Sequence, residues 1–253
     1  MRRLSVALIA AVSTIPLTQI ALAADMPFKA PVAVAPWADN WTGCYVGIEG
    51  GGNWGRSQHT AVTAGVPADV GLPITNNFYL SGGLFGGTVG CNYQSSDWVI
   101  GIENDFSWTN KQGSGSDIPP FNTNGVSHTS EKWLDTLRGR IGASWDLSPT
   151  LNRSLFYATG GVAFASTAVD VCATVAGVCV SDSQTRTGWV AGVGFEYAVW
   201  QNVSLKIEYL YAQFGTGRYI NPPVTIAGVG TFETRDVSLI DNIVRVGINY
   251  TFN

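Results

Sequence analysis

The sequence predicts an all-β chain: an eight-stranded antiparallel up-and-down β-barrel that crosses a membrane. Three observations carry that expectation. Apolar and polar residues alternate with period two in eight stretches after Trp41. The connections between those stretches alternate between short and long. Charged residues are 13% of the chain, against about 25% in an ordinary soluble domain, while 45% is hydrophobic and 9 residues are Trp. After Ala23 no apolar run approaches the ~18–20 residues of a membrane helix. An exported chain with this composition can still span a bilayer as a closed barrel. The net charge of −4 gives no footing for a nucleic-acid partner.

The chain opens as an address. "MRR" is a short basic region, Leu4 to Ile15 is an apolar stretch, and Ala21-Leu22-Ala23 is a small-residue cleavage site. Residues 1–23 thus read as a secretory signal peptide. Its removal takes Arg2 and Arg3 away and moves the net charge from −4 to −6. Residues 24–40 hold Pro27, Pro31 and Pro36 and read as an extended periplasmic linker, leaving 41–253 as the barrel domain.

The strands are expected at 42–54, 83–93, 98–109, 132–147, 155–168, 185–199, 203–214 and 242–252. In the third, Trp98, Ile100, Ile102, Phe106 and Trp108 share a face, with Asn104 as a misfit. In the fourth, Trp133, Leu137, Ile141 and Trp145 oppose Arg138, Arg140 and Asp146. In the sixth, Trp189, Ala191, Val193, Phe195 and Tyr197 oppose Arg186 and Glu196. In the seventh, Val203, Leu205, Ile207, Tyr209 and Tyr211 oppose Lys206 and Glu208. The turns at 94–97, 147–154 and 200–202 are short. The stretches 55–82, 110–131, 169–184 and 215–241 are long, polar and Gly-rich, and are expected as loops outside the cell.

Aromatic spacing decides which face meets lipid. Trp98 and Trp108 lie ten residues apart. At ~3.3 Å per residue and ~45° tilt they are separated by roughly 23 Å of height, close to the ~25 Å apolar band of such barrels. Trp133 and Trp145 bracket the next strand in the same way. A soluble, lipocalin-like barrel would turn the apolar face inward and leave this spacing without a reason.

The opposite face then lines the lumen. It carries Glu49, Glu103, Asp105, Arg138, Arg140, Arg186, Glu196, Lys206, Glu208 and Arg245 among many glycines. An eight-stranded lumen is just wide enough for side chains to fill it. Counting heights from the short turns puts Glu103 and Asp105 near Arg138 and Arg140, and Glu196 level with Lys206. Arg245 falls between Glu208 and, once the barrel closes, Glu49. Closure also explains why the alternation Val244, Val246, Ile248, Tyr250, Phe252 runs almost to the last residue. An unpaired edge in lipid would leave backbone groups unsatisfied.

The last strand also carries a family likeness. Arg245, Gly247, Tyr250 and Phe252 fit the polar-x-Gly-x-x-aromatic-x-aromatic signal read by the barrel-assembly machinery, with Asn253 following where the aromatic usually ends the chain. "WTGCYVGIEGGGNWG" (41–55), "GGTVGCNYQ" (86–94), "WLDTLRGRIG" (133–142) and "YATGGVAF" (157–164) resemble strands of the small alphaproteobacterial outer-membrane β-barrel proteins, often labelled outer-membrane immunogenic or porin-family proteins. Cys44 and Cys91 stand where that family commonly has aromatics. The resemblance covers 24–253. It implies an integral outer-membrane protein without catalysis, with roles in envelope integrity or host contact.

Four Cys in an exported chain read as two disulfides. Cys172 and Cys179 share the third long loop as a hairpin pair, with a zinc site as the alternative. Cys44 and Cys91 fall opposite each other on the first two strands, both on the outward parity. No H-E-x-x-H, G-x-S-x-G or P-loop occurs, and "GGLFGG" (82–87) reads as strand glycines. No cofactor and no metal are expected. The two His, His59 and His128, fall on predicted outer loops, His128 near Ser127, Ser130 and Glu131. The expected function is therefore structural and interactive. The expected partners are outer-membrane lipid, the assembly machinery, and a host or environmental ligand at the outer loops, with the barrel a monomer. A small channel for ions or polar solutes is the alternative, and a rim enzyme acting on lipid or peptide around His128 is the third reading.

Overall fold

The computed structural model describes residues 40–121, 123–145 and 153–252. Residues 1–23, expected as a signal peptide, residues 24–39 of the expected linker, Asp146, most of the 147–154 turn and Asn253 lie outside the described residues. The strands are β1 Gly43–Ala61, β2 Phe78–Ser95, β3 Trp98–Thr109, β4 Gln112–Ser116, β5 Gly125–Trp145, β6 Ser154–Ala173, β7 Val178–Ala198, β8 Val203–Tyr219, β9 Val224–Ile226, β10 Gly230–Phe232 and β11 Arg235–Phe252. β4 continues β3 beyond a break at Asn110 and Lys111, and both pair with β5. β9 and β10 form a separate hairpin. The others close a ring of eight antiparallel strands in which each strand pairs with the next and β1 pairs with both β2 and β11.

The seam is formed by the terminal strand. It runs without a break from Cys44 opposite Phe252 to Ala61 opposite Arg235. Every backbone group along it thus has a partner in the one place where an open sheet would have edges. Trp98, Trp108 and Trp145 are each more than 60% exposed on the outside, and Ile48, Ile100, Ile102, Val193 and Val246 fill the band between them. Asn104, the misfit of the third strand, donates to Asp135 Oδ1 (2.8 Å) and to the Thr136 carbonyl (3.0 Å) on the neighbouring strand. Its amide is satisfied within the wall, which is what a polar group on this face requires.

The strands run further than the alternation indicates. Much of 55–82, 110–131, 169–184 and 215–241, expected as loop, is strand. β1 continues to Ala61, β2 begins at Phe78, β5 begins at Gly125, β6 ends at Ala173, β7 begins at Val178, β8 ends at Tyr219 and β11 begins at Arg235. The physical reason lies outside the wall. Beyond the aromatic girdle the outward positions face no lipid, so residues such as Ser181, Ser183 and Thr185 stand exposed there and the apolar stripe ends. Register shifts between Glu131 and Trp133 on β5, and opposite Val237 and Leu239 of β11, also change the parity. The glycines of "GGLFGG" are all in β2. Gly82 is required there: a Cβ would lie 2.4 Å from the Lys111 backbone where the chain crosses between β3 and β4.

Candidate functional site

Buried side chains occupy the lumen in layers set by strand register. Next to the short turns, Tyr45 and Tyr157 flank Arg140, whose guanidinium carbon lies 5.1 and 4.8 Å from their ring centroids. Tyr45 donates to Glu103 (2.5 Å) and Tyr157 to Glu208 (3.0 Å). Above them nine of the ten charged residues expected to line the lumen, all but Arg186, form one connected network. None of the nine is more than 4% exposed.

Arg245 lies at its centre. Nε donates to Glu208 Oε2 (2.8 Å), Nη2 to Glu208 Oε2 (2.6 Å) and Asp105 Oδ2 (2.8 Å), and Nη1 to Glu49. Arg138 reaches Glu208 at 2.9 Å, Asp105 at 2.5 Å, and Glu103. Arg140 holds Glu196 at 3.1 Å and Glu103 at 3.3 Å. Lys206 reaches Glu103 at 3.2 Å, Glu49 at 3.5 Å and Asp105 at 3.8 Å. Glu196 and Lys206 are register partners, yet the Glu196 carboxylate accepts from Ser204 (2.5 Å) and Asn249 (2.8 Å) as well as Arg140. Several of these pairs, including Arg138 with Glu208 and Lys206 with Glu103, cross the lumen rather than join neighbouring strands. Arg186 stands apart from the network and donates to the Gly215 carbonyl.

One inward position further toward the loops, an apolar layer that includes Leu84, Leu134, Val190, Leu210 and Ile243 crosses the lumen. Beyond it lies a second charged cluster. Lys111 Nζ pairs with Glu131 at 2.8 Å and with Asp241, all three side chains fully buried. Asn53 donates to Glu131 at 3.2 Å. The alternation does not mark this cluster, because all three charged residues fall in stretches read as loops. Parity could have found Asp241, which continues the inward set Arg245 and Ile243.

Higher still, His59 is fully buried on β1, five residues beyond the exposed Trp54. This corrects its expected place on a loop. Its Nε2 lies 2.9 Å from Thr129 Oγ1 and its ring meets Phe78 edge-on. Burial, with help from Arg235 and Arg186, pushes the imidazole down to about 3. The unfolded chain takes up a proton near pH 6.5, which the folded barrel refuses until about pH 3. Between those values stability therefore rises with pH and is lost on acidification. Unfolding compared at pH 7 and pH 4 should show a larger acid loss in wild type than in His59→Gln, by on the order of a few kcal/mol. Equal losses in the two proteins would remove His59 as the cause.

His128 points the other way. It is exposed on β5, while Ser127 and Glu131 are buried on the inward face. Register sets it between Ser114 of β4 and Asp170 of β6. Among the described residues no hydrogen bond joins these three, and no group of three or more His, Cys, Asp or Glu is placed to hold a metal. Cys44 is bonded to Cys91 across β1 and β2, with Cα atoms 3.9 Å apart. Cys172 is bonded to Cys179, also as a cross-strand pair. The latter lies on β6 and β7 rather than in a long loop, because those strands extend to a four-residue turn.

A closed eight-stranded wall, apolar outside and charged within, defines an integral outer-membrane β-barrel protein. The chain belongs to the outer membrane protein beta-barrel domain family, whose model matches residues 20–252. It is 29% identical over 240 residues to the 31 kDa outer-membrane immunogenic protein of Brucella melitensis, covering 92% of this chain and 93% of that one. It is 28% identical to the 25 kDa outer-membrane immunogenic protein of Brucella abortus across the full length of both. It is 30% identical over 187 residues to a 22 kDa outer membrane protein of Rhizobium leguminosarum, covering 72% of this chain and 68% of that one.

Proposed function

We propose that this outer-membrane barrel is sealed and non-catalytic, supporting the envelope and presenting its long-loop end to the outside as an interaction surface. One observation carries the reading: the lumen is crossed by nine buried, mutually paired charges with an apolar layer above them. Ions would have to break those pairs and then pass the apolar layer, so the arrangement favours a plug over a water column. Purified mature protein in planar bilayers should show little or no conductance. Steady, large conductance would favour a channel instead and overturn the plug.

The orientation follows from the same reading. The connections 62–77 and 220–234 are expected outside the cell, and the 94–97 and 200–202 turns in the periplasm. Protease added to intact cells should cut the first pair. Cleavage confined to the short turns would invert the barrel. The terminal strand supports assembly by the outer-membrane machinery, since Tyr250 and Phe252 present their rings on its outward face while Arg245 and Gly247 face inward. An interaction role is also in keeping with the names of the Brucella relatives, which are called immunogenic.

A further inference from the structure

Seven Lys and Arg side chains are buried in the described barrel. Lys111, Arg138, Arg140, Lys206 and Arg245 each have a carboxylate within 4 Å. Arg186 and Arg235, at the loop end, are absent from those ion pairs. Arg235 is 1% exposed. Its Nη1 donates to Ser127 Oγ (2.8 Å) and its Nε to the Glu233 carbonyl (3.5 Å). Ser127 in turn donates to Asp117 Oδ1 (2.8 Å), so a hydroxyl relay joins Arg235 to that carboxylate.

Arg235 lines a cavity of about 240 Å³ at the loop end. Asp117 and Glu233 line it too, and Phe121, Val171 and Phe232 supply apolar wall. The charges select the occupant. A simple anion drawn to Arg235 would face two carboxylates, and a simple cation drawn to those carboxylates would face a buried guanidinium. A molecule carrying both charges a few bonds apart satisfies both at once. Drug-sized ligands occupy pockets of about 300–1,000 Å³, so this one suits something smaller. We infer that the cavity binds a small zwitterion with an apolar side chain, the class of free α-amino acids. The ligand carboxylate meets Arg235, its ammonium meets Glu233 and Asp117, and its side chain lies on the phenylalanines. Binding does not depend on the direction of insertion. Only access from outside the cell rests on the orientation proposed above.

The test is a titration of the isotope-labelled full barrel in micelles, followed by backbone amide NMR, with L-leucine as the probe. Acetate and isobutylamine each supply half of its charge. Leucine should give saturable shifts around Asp117, Val171 and Phe232, and each half-probe should bind about tenfold more weakly or worse, the size of one lost charge-assisted hydrogen bond. Arg235→Gln should abolish binding. Because Arg235 also anchors Ser127, Glu233→Gln is the second variant. Glu233 is only half-buried and absent from the lumen ion pairs, and its loss should weaken leucine about tenfold while the strand resonances stay in place. No saturable shift at the solubility limit of leucine would overturn the inference. So would acetate or isobutylamine binding as tightly as leucine, or unchanged affinity in Glu233→Gln.

Discussion

Arg245→Ala should be among the most destabilising single substitutions in this barrel, at about 3–5 kcal/mol. The guanidinium touches Glu49, Asp105 and Glu208 at once, inside a lumen where none of them reaches water. Taking it away leaves three carboxylates around an empty volume. Lys206 still lies 3.5 Å from Glu49, and Arg138 still holds Asp105 and Glu208, so compensation is partial. A loss of this size is a large share of the 5–15 kcal/mol that holds a typical domain together. Arg245→Lys should lose less, since it keeps the charge but not the fork that serves three partners. The measurement is urea unfolding in lipid vesicles, followed by tryptophan fluorescence and by the heat-resistant fraction on gels. An Arg245→Ala barrel as resistant as wild type would show that the network contributes nothing.

Lys111→Met should have a comparable effect at the other end of the lumen. Among the described residues Lys111 is the sole cation bonded to Glu131 and Asp241, and all three are fully buried. Without it two carboxylates face each other beyond the apolar layer, again a loss of about 3–5 kcal/mol. This site allows a sharper control. If the cost comes from uncompensated charge, then Lys111→Met combined with Glu131→Gln and Asp241→Asn should recover most of the lost stability, because no charge remains to be matched. A triple variant no better than Lys111→Met alone would locate the damage in backbone packing at the break between β3 and β4, where Gly82 and Lys111 lie in close contact.

The spanning half of the barrel was legible because lipid leaves a strand little choice. Residues such as Ile100, Ile102, Val193 and Val246 must be apolar outside, and the charges must then fall on the other parity. Cys44 and Cys91 could be paired for the same reason, since adjacent antiparallel strands with known turns have known partners. The upper half gave no such signal. Water accepts Ser, Thr or Gly on the outer face, so β1 beyond Trp54 and β5 before Glu131 lost their stripe, and His59, Lys111, Glu131 and Asp241 read as loop polars. Ser127 and His128 show the cost of that loss. Neighbours in sequence, they stand on opposite sides of the wall.

Strand number, closure through the terminal strand and the inward parity of the charges are all consequences of a local rule, that side chains alternate with period two and one face must suit lipid. A single sequence therefore determined them. Which charge meets which was decided by the tertiary structure. Arg138 with Glu208, Lys206 with Glu103 and Arg245 with Asp105 join strands that are not neighbours, and their contact depends on the stagger and narrow bore of the closed ring. The same holds for the mouth cavity, where Asp117, Val171 and Arg235 come from three separate parts of the chain. No pattern along a strand encodes a distance across a lumen, because that distance exists only after the last strand has paired with the first.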